Sequence, residues 1–168
     1  GLREEAQAVD GRVVSIGRMI SVVIPAYNEE KTLGRCLGSL ARQHTSLLYE
    51  VIVVDNNSTD NTERIAQTFQ KKMRIRVVHE RKKGRGAARH AGFGVAKGEV
   101  ILSTDADAVV PSNWVEILAT TFLTKPCVGV TGTSKVEDSS LFVNHAYNLI
   151  QPMSMIVYRL FFGHYWLS

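Results

Sequence analysis

Three short segments of this 168-residue chain carry acids and turn-forming residues just where apolar runs stop. They are Pro25-Ala-Tyr-Asn-Glu29, Asp55-Asn-Asn-Ser-Thr-Asp60 and Asp105-Ala-Asp107. In the last, two carboxylates flank a small alanine and can converge on one hard divalent cation. Mg²⁺ or Mn²⁺ suits such a pair, because each prefers oxygen ligands and keeps waters and substrate phosphates in its shell. The competing reading makes Asp107 the cap of a helix that begins near Pro111. Asp55 can accept a hydrogen bond from a ring N–H of a nucleobase, a contact that discriminates because a wrong partner leaves a buried group unpaired. Asp-Asn-Asn-Ser is equally a strong turn-forming string. Tyr27 offers a ring that either stacks on a base or packs at a sheet edge.

The elements that must position these segments alternate along the chain. Ile20–Ile24, Val51–Val54, Ile75–Val78 and Val100–Ser103 are short apolar runs of strand length, and Val128–Thr131 is expected as a fifth strand. Between them, Leu33, Cys36, Leu37 and Leu40 recur at helical spacing, with Asn28 available as a cap. Asp60 and Glu63 resemble a capping box ahead of Ile65 and Phe69. Ala87, Ala88, Ala91 and Val95 mark a small-residue helix, and Pro111 suits the first turn of a helix burying Trp114, Leu118 and Phe122. Strands alternating with helices imply an α/β class with a mostly parallel sheet covered on both faces. Ligands of such sheets bind beyond the carboxyl ends of the strands, where the three acidic segments lie.

Composition narrows the classes. With 45% hydrophobic and 21% charged residues the chain can build a core. Its two cysteines, Cys36 and Cys127, form neither a disulfide-dense scaffold nor a CxxC metal site. The net charge of +4 is local in origin: residues 71–89 hold nine Lys/Arg against Glu80 alone, and the remainder is net acidic. Such a patch can face phosphates of a nucleotide, a nucleic acid or a membrane surface. Gly84-Arg-Gly-Ala-Ala-Arg89 begins like a dinucleotide fingerprint but follows the third apolar run and ends in arginine, so that match is discounted.

Taken in order, Val22–Glu29, Val51–Asp60, Gly84–Gly92 and Gly98–Asp107 resemble glycosyltransferase family 2 over roughly residues 20–135. The resemblance implies the GT-A fold, a Rossmann-like sheet with helices on both faces. It also implies a nucleotide-diphosphate-sugar donor, a Mg²⁺ or Mn²⁺ ion, and transfer with inversion at the anomeric carbon. Carried over by position, Pro25, Ala26, Tyr27 and Glu29 would line the nucleoside pocket and Asp55 would hold the base edge. Gly84 and Arg89 would lie near the donor phosphates, with Lys83 and Arg85 as neighbours, and the 71–76 half of the basic segment as a solvated face. Asp105 would face the ribose and the metal, Ala106 would belong to the donor nucleotide site, and Asp107 would be the main metal ligand. Asn56 stands where many members have a second aspartate. Val109 stands where some polyprenol-phosphate-using members place a further ligand, which disfavours that acceptor.

The expected organisation is an extension or expression remnant over 1–18, a donor-binding domain over 19–138 and an aromatic-rich helical segment over 139–168. Seven of the 13 aromatic residues fall between Phe142 and Trp166. Residues 141–167 are read as core packing for a domain continuing beyond Ser168, as acceptor surface, or as a peripheral membrane contact on the cytoplasmic face. The acceptor, a saccharide, lipid or protein, is left open. Glu137 and Asp138 come too soon after Asp107 to be the general base, which is expected downstream of Ser168. A cytoplasmic location is expected, and nucleic acid is not an expected partner. The alternative is a non-catalytic nucleotide- or nucleic-acid-binding module using the 71–89 segment.

Overall fold

The computed structural model describes residues 6–9, 12–15, 19–125 and 129–130. Almost all belong to one compact unit ending at Pro126. Strands β1 (Ala6–Val9) and β2 (Arg12–Ser15) pair as an antiparallel hairpin within the segment read as an extension. The four apolar runs follow as β3 (Met19–Ala26), β4 (Leu48–Asp55), β5 (Ile75–His79) and β6 (Val100–Ser103). They form one parallel sheet in the order β5-β4-β3-β6. Gly129 and Val130 are not in a strand, and the rest of the expected fifth strand lies outside the described residues. So do Glu137, Asp138 and the aromatic segment 141–167.

Alternation of side chains along β3 and β4 explains the layering. Ile20, Val22, Ile24, Val51 and Val53 face α1 (Leu33–Leu40), α2 (Thr62–Thr68) and α4 (Trp114–Thr124). Val23, Ile52 and Val54 face the other way, against Ala88 of α3 (Arg85–Val95). Helix α3 lies so close that a Cβ built on Gly92 would stand 2.4 Å from a Val23 methyl and 2.9 Å from a Val54 methyl. In α4 the fully buried residues are Val115 and Ala119, whereas Trp114, Leu118 and Phe122 pack half-buried on the core. The helix is thus turned by one residue from the expected face, and Pro111 stands in the turn before it.

Away from the strand exits, a buried carboxylate pins the sheet. Glu50 Oε1 accepts from the Ser21 hydroxyl at 2.8 Å and the Lys97 backbone N–H at 3.0 Å, and Glu50 Oε2 takes Arg76 Nε at 3.2 Å. Burial alone would push the Glu50 carboxyl up. The Lys97 N–H, the Ser21 hydroxyl and Arg76 together outweigh burial and hold it below the usual glutamate range. Lys71, Lys72 and Arg74 are exposed as expected, but Arg76 is half-buried in this contact and does not belong to a solvated face.

Candidate functional site

Parallel register sets the carboxyl ends of the strands in a row: Ala26 is level with Asp55, and Asp55 with His79. β6 joins the opposite flank of β3, so the strand order reverses between β3 and β6, the position beyond whose strand ends ligands of such sheets bind. Tyr27, 53% exposed, leaves β3 on this crest, and Asp105 leaves β6. Pro25 and Ala26 close β3 as buried residues.

The exit loops are held by each other. Asn28 N–H donates to Ser58 Oγ at 3.0 Å, Glu29 N–H to Thr62 Oγ1 at 2.8 Å and Glu30 N–H to Asp60 Oδ2 at 3.0 Å. In return, Thr59 N–H donates to Asn28 Oδ1 at 2.8 Å and Asn61 N–H to Glu30 Oε2 at 3.2 Å. This corrects two helix-start expectations. Asn28 adopts φ 54° and serves the neighbouring loop, while Thr32 precedes α1. Asp60 binds Thr62 and Glu30, and Glu63 pairs with Gln67, so no capping box forms. Asp107 likewise does not cap α4, whose first flanking residue is Asn113.

A second set of bonds ties the β4 exit to the basic loop after β5. Asn56 Nδ2 donates to the carbonyls of Glu80 at 2.7 Å and Lys82 at 2.8 Å, and its Oδ1 accepts Gly84 N–H at 2.8 Å. Asn57 Nδ2 donates to the Glu80 and Arg81 carbonyls at 3.2 and 3.0 Å. Gly84 has φ +127°, a conformation that favours glycine, and it turns the chain into α3. Lys83 and Arg85 are exposed beside it. Sequence reasoning missed these asparagine contacts, for which the tandem Asn-Asn at a strand exit was the visible signal.

The acids meet different surroundings. Asp55 is only 6% exposed, and its buried Oδ1 has no hydrogen-bond partner among the described residues. Its Oδ2 accepts Ser58 N–H at 3.3 Å and faces His79 Nδ1 at 3.6 Å, while His79 Nε2 faces Glu63 at 3.5 Å. Asp105 Oδ1 pairs with Arg89 Nη2 at 2.8 Å, and Arg89 Nε also reaches Ser103 Oγ at 3.4 Å. Ala106 is buried and anchors the motif, leaving Asp107 exposed with no side-chain partner among the described residues. Beneath it, the Cys36 thiol is pushed up to about 12 by burial first, and then by Asp107, Asp105 and Glu29. The same thiol donates to the Asp105 carbonyl at 3.5 Å, which ties α1 to the loop after β6. A shallow depression of about 350 Å³ beside the start of α3 is lined by Lys82, Lys83, Gly86, Ala87, His90 and Glu80, and by none of the strand-exit aspartates.

The sequence matches Glycosyl transferase family 2 over residues 21–165. The chain belongs to this family. Relatives include glycosyltransferase GlyG of Streptococcus pneumoniae, 41% identical over 105 residues that make up 61% of this chain and 35% of GlyG. Among solved structures, S. aureus TarS 1–349 in complex with UDP-GlcNAc superposes with a TM-score of 0.59 at 28% identity, covering 68% of this chain and 37% of that one. Glucosyl-3-phosphoglycerate synthase from Mycobacterium tuberculosis, with Mn²⁺, UDP and glucosyl-3-phosphoglycerate, gives 0.55 at 31% identity, covering 66% and 41%. The fold is accordingly GT-A, as the sequence led one to expect. The chain spans about a third of the length of GlyG and of TarS 1–349, and 19% of the longer TarS chain.

The family 2 setting invites a test of the divalent cation against these residues. Every donor offered by Asp105 and Asp107 is a carboxylate oxygen, Asp107 is uncommitted, and Asp105 engages Arg89 through Oδ1 alone. That donor set fits Mg²⁺ or Mn²⁺ with phosphates and water completing the shell. Among the described residues no third His, Cys, Asp or Glu joins them in a protein-only site, and no helix is long and apolar enough to cross a membrane.

Proposed function

We propose that this chain carries the donor-binding part of an inverting, cation-dependent glycosyltransferase that uses a nucleotide-diphosphate sugar. One observation carries the reading: a buried carboxylate oxygen of Asp55 has no partner among the described residues, on the crest where Tyr27 and the Arg89–Asp105 pair also emerge. An orphaned buried acceptor costs about 1–3 kcal/mol and calls for a donor beyond the described residues. A nucleobase ring N–H supplies one. The UDP complexes of the TarS and glucosyl-3-phosphoglycerate synthase structures support a nucleotide as that ligand.

In this reading Tyr27 stacks on the base and Glu29 borders the nucleoside. Asp107, with Asp105, would hold Mg²⁺ or Mn²⁺, which would supply charge stabilisation to a departing diphosphate. Arg89 orients Asp105 and adds a positive charge next to the phosphates. Gly84 brings the start of α3 and its neighbours Lys83 and Arg85 to the same edge, where unpaired N–H groups favour anions. The acceptor hydroxyl attacks the anomeric carbon as the bond to the diphosphate breaks, and its proton passes to a general base assigned to none of the described residues. The Mn²⁺ in the glucosyl-3-phosphoglycerate synthase structure supports the cation assignment.

Calorimetric titration with UDP, GDP and dTDP, with and without Mn²⁺, tests the reading. One of them is expected to bind more tightly with Mn²⁺, and Asp107→Ala is expected to remove that metal-dependent gain. A folded chain showing metal-independent binding, or none, refutes it.

A further inference from the structure

We infer that Asn56, seconded by Asn57, is a positioning residue for the donor diphosphate: its side-chain amide holds the Glu80–Gly84 loop so that Lys83, Arg85 and the first N–H groups of α3 are presented as a ready-made anion-binding edge. The inference rests on the nucleotide reading above and goes beyond it, because Asn56 touches no ligand in that reading.

The geometry leaves one orientation for the amide. Two carbonyls, of Glu80 and Lys82, lie at 2.7 and 2.8 Å from one end, and the Gly84 N–H lies at 2.8 Å from the other. Only an amide gives two donors and an acceptor in that order; a carboxylate accepts alone and would face two carbonyl oxygens. The anchor itself is firm: Asn56 is 6% exposed, and its backbone N–H extends the β3–β4 ladder to the Ala26 carbonyl at 2.9 Å. The loop it holds has few other ties. Its other described bonds are Lys82 N–H to Glu80 Oε1, Glu80 N–H to the Asp55 carbonyl, Ala88 N–H to the Gly84 carbonyl, and those to Asn57.

Meanwhile Arg81, Lys82, Lys83 and Arg85 are all exposed. Four like charges on neighbouring residues repel one another and would spread a free loop, so three bonds from a single side chain decide where they stand. Asn56 is also adjacent in sequence to Asp55. The residue pair therefore divides the ligand: one side chain meets the base, and the next holds the loop that meets the phosphates.

The test compares a nucleoside diphosphate with its own nucleoside, choosing the base that the wild-type chain binds. With Mn²⁺ present, Asn56→Asp is expected to weaken the diphosphate at least tenfold, about 1.4 kcal/mol, and to leave the nucleoside within twofold. A merely structural role would weaken both alike, so an equal loss, or no loss, overturns the inference. Should Asn56→Asp fail to give a cooperative thermal transition, Asn57→Gly decides instead. It removes two donors at a position whose φ of 65° glycine accepts, and the same selective loss is expected at smaller size. A wild-type chain that binds no nucleotide overturns the functional reading itself, which separates the two failures.

Discussion

Two glycines of α3 make opposite predictions from two residues apart. Alanine is the better helix former by about 0.8–1 kcal/mol, so substitution at either position gains some of that term. At Gly94 a Cβ would meet nothing within 4 Å, and Gly94→Ala is expected to stabilise the chain by about 0.5–1 kcal/mol. At Gly92 the same Cβ would stand 2.4 Å from Val23 Cγ1 and 2.9 Å from Val54 Cγ2, both on fully buried side chains. Ordinary carbon contacts are about 3.5–4.0 Å, so α3 must lift from the sheet by roughly 1 Å or the valines must leave their rotamers. Overpacking of that kind costs about 1–3 kcal/mol. The propensity gain is nearly common to both variants and cancels in their difference, which isolates the packing term. Urea unfolding of the two variants measures it, and Gly92→Ala should be the less stable by about 1–3 kcal/mol. A Gly92→Ala variant as stable as Gly94→Ala would refute the close packing of α3 on β3 and β4. Because Arg89 rides on the same helix, Gly92→Ala should also disturb its contact with Asp105.

Two further outcomes follow from the buried acids. Glu50 is held below the ordinary glutamate range, so its stabilising effect is complete above that range and fades as pH falls through its lowered value. Glu50→Gln should cost about 2–3 kcal/mol at pH 7 and flatten the acid limb of a plot of urea midpoint against pH; an unchanged limb would count against the pinning contact. Asp55→Asn should lose nucleotide binding at least tenfold while leaving stability equal or higher, since it removes a buried charge with an orphaned oxygen. Equal loss of stability would make Asp55 a structural residue.

What the sequence allowed one to read, and what it did not, divides along the range of the interactions. Strand existence, the α1 face of Leu33, Cys36, Leu37 and Leu40, and the strand-exit position of the acids all depend on periodicity, which is local. Asn28 and Asp60 were legible as cap-type residues, yet Asn28 Oδ1 and Asp60 Oδ2 went to partners about thirty positions away, brought near by the parallel register of β3 and β4, and only Asp60 Oδ1 stayed with nearby Thr62. Arg76 looked like one more cation in a basic run until the fold set Glu50 beside it. Asn56 was read as a turn residue and a missing acid, and its actual partners were hidden because the loop it binds is reached through β5.

The mutual bonding of the first two exit loops has an evolutionary consequence. Ala26 and Asp55 end the β3–β4 ladder side by side, and the bonds beyond them keep sequence separations of 30, 31 and 33. The loops thus run abreast like a zip that continues past the sheet. Several teeth are a side chain of one loop meeting the main chain of the other, so each loop tolerates many substitutions if a polar tooth is kept. An inserted or deleted residue shifts every later tooth out of phase. Among descendants of this chain, the composition of these two loops should drift while their lengths stay locked together.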